Sequence, residues 1–86
     1  GKIRSIYTLG DGFGEVIEAE ILENSDFVNK KLKDMKLPKN IRVGALLRNK
    51  DIIIPNSQTT FKINDDVVFF SETSCIKKLE KLLSDI

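Results

Sequence analysis

Arg42 and Arg48 stand six residues apart in the run Ile41-Arg42-Val43-Gly44-Ala45-Leu46-Leu47-Arg48. A guanidinium offers forked donors to phosphate or carboxylate oxygens, so this pair is the chain's clearest capacity for anion recognition. Other chemistries are poorly served. Glu18 and Glu20 sit at i, i+2 on an alternating run, a spacing that could suit metal ligation or acid–base work. The chain has no histidine, no third ligand stands near them, and a solvated strand face accounts for both. The spaced glycines of Gly10-Asp11-Gly12-Phe13-Gly14 suggest a phosphate-cradling loop, but such a loop must open a helix. Here a period-two run follows, so a flexible connection is expected. The single cysteine, Cys75, cannot form an internal disulfide and fits a reduced, intracellular setting. Without a nucleophile–base pair or a metal cluster, nothing supports an enzyme.

The arginines must be positioned by a hairpin. Residues 41–48 and Ile52-Ile53-Ile54-Pro55 are apolar runs split by the polar turn Asn49-Lys50-Asp51, which predicts paired antiparallel strands. Alternation places Ile41, Val43, Ala45 and Leu47 on one face and Arg42, Gly44, Leu46 and Arg48 on the other. If the three-residue turn sets the register, Ile53 falls opposite Leu46 on the arginine face and Ile54 opposite Ala45 on the apolar face. The apolar face is then expected to be plain core. The arginine face, with its glycine and large aliphatics, suits a partner or an anionic ligand.

Around the hairpin, Glu15 to Leu22 alternates as a strand. Asn24-Ser25-Asp26 offers N-cap chemistry, and Val28, Leu32 and Met35 recur at helical spacing, predicting a helix that stops before Leu37-Pro38. Thr59 to Ile63 reads as a short extended segment. Asn64-Asp65-Asp66 is a tight turn into Val67-Val68-Phe69-Phe70-Ser71, apolar on both faces as for a strand covered on each side. Ile76, Leu79, Leu82, Leu83 and Ile86 form the apolar stripe of a last helix. The expected fold is α+β, a small β-α-β-β-β-α sandwich with a mostly antiparallel sheet.

Eighty-six residues fit one small domain, which buries only about 60–65 % of its unfolded surface and would gain from pairing with another copy. Fourteen basic against thirteen acidic side chains leave a net charge of +1. That balance gives no case for nucleic acid as a partner. No apolar stretch approaches the roughly 18 residues of a membrane span, so no direct membrane insertion is expected. The chain opens Gly1-Lys2 without a methionine, which predicts a piece of a longer protein, with residues 1–14 an extension from a missing upstream domain and 15–86 the globular domain.

An ordered set of residues carries a family resemblance. Glu15-Val16-Ile17-Glu18, Ser25 with Asn29-Lys30-Lys31-Leu32, Leu37-Pro38, Val43-Gly44-Ala45-Leu46-Leu47-Arg48 and Ile53-Ile54-Pro55 together resemble the C-terminal domain of potassium-conductance regulators (RCK), also called the TrkA C-terminal domain. Asn64-Asp65-Asp66-Val67-Val68 stands where that family has a Gly-Asp turn into its last strand. Asn29 and Asn64 replace family glycines; asparagine is the next most tolerant residue of left-handed backbone.

The resemblance implies a cytoplasmic, non-catalytic regulatory module that forms a two-fold homodimer. It implies a membrane potassium channel or transporter subunit as partner, reached through the upstream domain, and no resident cofactor. In some bacterial members the cleft between paired domains is similar to a receptor for cyclic di-AMP. A two-fold dinucleotide matches a two-fold interface. Arg48 is then the expected phosphate or base contact, with Leu46, Ile53, Ile54 and Pro55 as the aliphatic surface for adenine. Arg42 is the weaker candidate, about 20 Å along the same strand face at roughly 3.3 Å per residue. The alternatives are a ligand-free dimerisation module and the effector domain of a transcription regulator.

Overall fold

A computed structural model describes residues 2–84. Five strands form one sheet: β1 (Lys2–Leu9), β2 (Gly14–Glu20), β3 (Ile41–Arg48), β4 (Asp51–Ile53) and β5 (Asp66–Glu72). Their spatial order is β1-β2-β5-β3-β4, and every neighbouring pair is antiparallel. After a single 3-10 turn at Thr73–Cys75, helix α1 (Ile76–Ser84) closes the fold. The expected mostly antiparallel α+β architecture is what forms, with one α-helix in place of two.

One face of the sheet is covered. Ile17, Ala19 and Ile21 from β2 and just beyond it join Ile41, Leu46, Val67 and Phe69 in the core. Phe27, Met35 and Phe61 close over them from the loops, with Cys75, Leu79 and Leu83 from the C-terminal segment. Each large apolar side chain withdrawn from water stabilises by about 1.5–3 kcal/mol. The helical stripe is observed at Leu79, Leu82 and Leu83; the side chain of Ile76 and residue Ile86 lie outside what is described. Cys75 is a buried free thiol, filling core volume.

The helix expected over 24–36 does not form. Ser25 does accept a hydrogen bond from the Phe27 amide at 3.0 Å, the cap-like contact its position suggested. The chain then turns left-handed at Asn29 (φ 65°) and again at Lys36 (φ 53°). Over this stretch three amides bond across to another segment, and the local bonds that remain are short i to i−3 turns. Asn29 N reaches Phe61 O at 2.8 Å, Leu32 N reaches Thr59 O at 2.9 Å, and Lys33 N reaches Ser57 O at 3.0 Å. Only a 3-10 turn at Leu32–Asp34 survives. The segment Thr59 to Ile63 contributes one isolated bridge, Lys31 to Thr60, and no strand. At the N-terminal end, residues 2–9 are an edge strand paired along β2.

The sides of β3 also differ from simple alternation. Val43 pairs with Phe69 and Ala45 with Val68, so two steps on β3 match one on β5 and Gly44 is the extra residue of a bulge. Parity inverts there. Ile41 and Leu46, expected on opposite faces, are both wholly buried on the core side. Ala45 and Leu47, expected in the core, share the opposite face with Val68 and Asp66. That face is open: Phe70, expected to be covered, is 44% exposed.

Candidate functional site

Leu46 opposes Ile53 as expected, but the turn is two residues, Asn49-Lys50, and not three, because Asp51 already pairs with Arg48. Pairing carries Ile53 to the core side, where it packs against the buried cluster. Its neighbours Ile52 and Ile54 go the other way and are 70% and 75% exposed. Pro55 is partly buried. Since β4 is the last strand of the sheet, its outer edge carries no strand partner among the described residues. An exposed apolar pair on such an edge is a ready surface for another chain.

Arg48 ends β3 in a built ion pair. Its Nε donates to Asp65 Oδ1 at 2.8 Å and its Nη2 to Asp65 Oδ2 at 2.7 Å. Nη2 also donates to the Thr60 carbonyl at 2.9 Å. The hydrogen bond and charge of Asp65 hold the Arg48 pKa above its ordinary value, against a partial lowering by burial. Asp65 itself is 1% exposed, and its Oδ2 accepts from the Lys62 amide at 2.9 Å. The turn that presents it is closed by Asn64 N to Ile21 O and Ile21 N to Asp65 O, both 2.9 Å. Asn64 has φ 70°, the left-handed backbone for which asparagine substitutes for glycine. Sequence reasoning marked Arg48 and the Asn64-Asp65 turn separately and missed that they meet. The signal available was a carboxylate in a tight turn at the entrance to a core strand, a position that demands a partner when the turn is buried.

The structure therefore brings Leu46, Arg48, Ile53, Ile54 and Pro55 to one end of the molecule and leaves Arg42 at the other. Leu46 lies wholly within the core there. Arg42 is exposed and borders a separate cleft with Phe70 and Glu72.

A third cluster lies on the open face. Arg4 Nη2 bonds Glu20 Oε2 at 2.8 Å, and Arg4 Nε lies 2.7 Å from Asp66 Oδ1. Glu18 sits beside them, its pKa raised first by burial and then by the charge of Asp66. No group of three or more acids, histidines or cysteines among the described residues could hold a metal ion. No helix among them is long and apolar enough to cross a membrane.

Comparison with known proteins fits this geometry to a family. The TrkA-C domain matches residues 16–84. The Trk system potassium uptake protein TrkA of Azorhizobium caulinodans is 43% identical over 82 residues, covering 95% of this chain and 18% of that protein. The TrkA homologue of Archaeoglobus fulgidus is 32% identical over 77 residues, covering 90% of this chain and 18% of that protein. The chain thus spans about a fifth of the length of these relatives. Among solved structures, one described as "Structure of RCK domain with cda" shares the fold with a TM-score of 0.63 at 21% identity, covering 79% of this chain and 96% of that one.

Proposed function

Because this chain belongs to the TrkA-C domain family, we propose that it is a non-catalytic, cytoplasmic regulatory domain of a potassium or other cation transport system. Its relatives are Trk potassium uptake proteins, which supports potassium as the transported ion and a membrane transporter subunit as the ultimate partner. Two copies pair about a two-fold axis through the β3–β4 hairpins, and the pair encloses a site for cyclic di-AMP.

The observation that carries this reading is the exposed Ile52 and Ile54 beside Pro55 on an unpaired sheet edge. Arg48 adds to it. Asp65 and Thr60 fix its guanidinium while Nη1 enters none of their three bonds, so a positioned donor is left for a phosphate oxygen. A ligand bridging two copies works by population shift, since only its differential affinity for two dimer arrangements can move an attached transporter. Coupling of about 1–3 kcal/mol is the usual scale.

The burial of Leu46 and the engagement of Arg48 by Asp65 favour a second reading, a dimerisation module without ligand. Calorimetry with cyclic di-AMP, paired with sedimentation, separates the two. One ligand per two chains supports the receptor, with Ile54→Asp abolishing both dimer and binding. A flat titration on an intact dimer leaves only the dimerisation module. A chain that stays monomeric at high concentration defeats both.

A further inference from the structure

At the end of the sheet away from the hairpin turn lies a cleft of about 510 Å³, bordered by Phe13, Lys39, Asn40, Arg42, Phe70 and Glu72. That volume falls within the roughly 300–1,000 Å³ of small-molecule sites. Two aromatic rings border it, and both are far more exposed than packing would leave them: Phe13 at 80% and Phe70 at 44%.

The walls are held in place. On one side the glycine-rich β1–β2 loop, left-handed at Gly10 (φ 56°) and Gly12 (φ 93°), is tied down by Thr73. The Thr73 hydroxyl donates to Gly12 O at 2.7 Å and its amide to Phe13 O at 3.3 Å. On the other side the Glu72 amide donates to Asn40 O at 3.2 Å, anchoring the segment that carries Lys39. The Phe70 ring lies over Gly44, where an added Cβ would collide with it.

Among the described residues, no salt bridge engages Lys39, Arg42 or Glu72; the ion pairs there are those of Arg4 and Arg48. Two cations and one carboxylate therefore face the cleft with a positive balance, beside exposed aromatic surface.

We propose that this cleft is a binding site within a single chain for a planar aromatic ring carrying an anionic group. The ring packs on Phe70 and Phe13, and the phosphate or carboxylate is held by Arg42 and Lys39. The site shares no residue with the hairpin end around Arg48 and Ile53, and does not depend on pairing.

Phenyl phosphate is the probe, titrated into the isotopically labelled chain and followed through its backbone amide resonances. Saturable shifts at Phe13, Arg42, Phe70 and Glu72 are expected, one ligand per chain. Phenol and inorganic phosphate, each carrying half of the recognition, bind at least tenfold more weakly. Arg42→Gln weakens phenyl phosphate by about tenfold, the scale of one hydrogen bond to a charged group. Phe13→Ala weakens it too, and Glu72→Gln tightens it by removing the like charge. All three positions are exposed, so an unchanged melting temperature certifies the fold of each variant. Ile54→Asp changes nothing here, which separates this site from the paired hairpin.

The proposal is overturned by an absence of shifts at the cleft. It is equally overturned by inorganic phosphate matching phenyl phosphate, or by indifference to Arg42→Gln.

Discussion

The two arginines of β3 share a strand and the same parity, yet they live in opposite circumstances. Arg48 gives three hydrogen bonds to Asp65 and Thr60, whereas Arg42 is exposed and enters no ion pair among the described residues. The Gly44 bulge between them explains the split, because it swaps the faces of the strand. Anion-binding side chains are thus divided between one that fastens the fold and one left over for other work. Residue type alone does not say which arginine is which; the partner does.

The sharpest way to break that comparison is to remove the partner. Asp65→Ala strands a guanidinium at the core margin and deprives the Lys62 amide of its acceptor. Breaking a pair with one buried member costs about 3 kcal/mol, which lowers the melting temperature by on the order of 15 °C in a domain this small. Scanning calorimetry reads it directly. The Arg48→Ala/Asp65→Ala double variant should lose less than the two singles added together, since the second removal relieves an uncompensated charge. Strict additivity would mean that the two groups act independently.

Gly44→Ala addresses the bulge itself. The new methyl would lie 2.6 Å from Phe70 Cδ2, closer than carbon atoms tolerate, so the ring must move. Because Phe70 faces solvent, it can swing away, and the expected loss is about 1 kcal/mol. Phe70→Ala in the same chain should recover part of that loss. In the single variant the Phe70 ring resonances should shift while those of Phe69, on the core side, stay in place. A variant whose Phe70 signals do not move would mean that the ring does not rest on Gly44.

Much of this was legible beforehand. The hairpin, with Ile53 opposite Leu46, is read from two apolar runs flanking a polar turn, although the turn itself is two residues, Asn49-Lys50, because Asp51 already pairs with Arg48. Asn29 and Asn64 were marked as stand-ins for glycine, and both are left-handed. The missed helix has a physical cause. Val28, Leu32 and Met35 have helical spacing, but the amides of Asn29, Leu32 and Lys33 bond to carbonyls of Phe61, Thr59 and Ser57, and no local pattern announces a ladder to a segment so distant. The bulge was hidden for a related reason. Alternation counts residues and assumes that each advances the strand by one step, whereas Gly44 is accommodated by Phe70, a neighbour in space. The Arg48–Asp65 pair spans 17 positions and becomes visible only once the strands are laid side by side.

The smallest expected effect concerns a third arginine, Arg4, and the acids around it. Arg4 is ion-paired with Glu20 and Asp66 and leaves Glu18 beside them, where burial and the Asp66 charge raise its pKa while Arg4 only partly offsets them. A carboxyl whose folded pKa is raised holds its proton longer in the native state than in the unfolded one. Stability then falls as pH rises from the unfolded pKa through the folded one, and ionised Glu18 weakens the fold at neutral pH. Glu18→Gln removes that charge while keeping the shape. It should raise the melting temperature slightly at pH about 7, by less than Gly44→Ala lowers it, and the gain should fade as pH falls to about 4, where Glu18 is protonated anyway. Arg4→Gln should do the reverse at neutral pH, since it leaves Glu18, Glu20 and Asp66 facing one another without a cation. If Glu18→Gln lowers stability at pH 7, the carboxylate is held by its surroundings, and Arg4 then fastens β1 to the sheet much as Asp65 fastens Arg48.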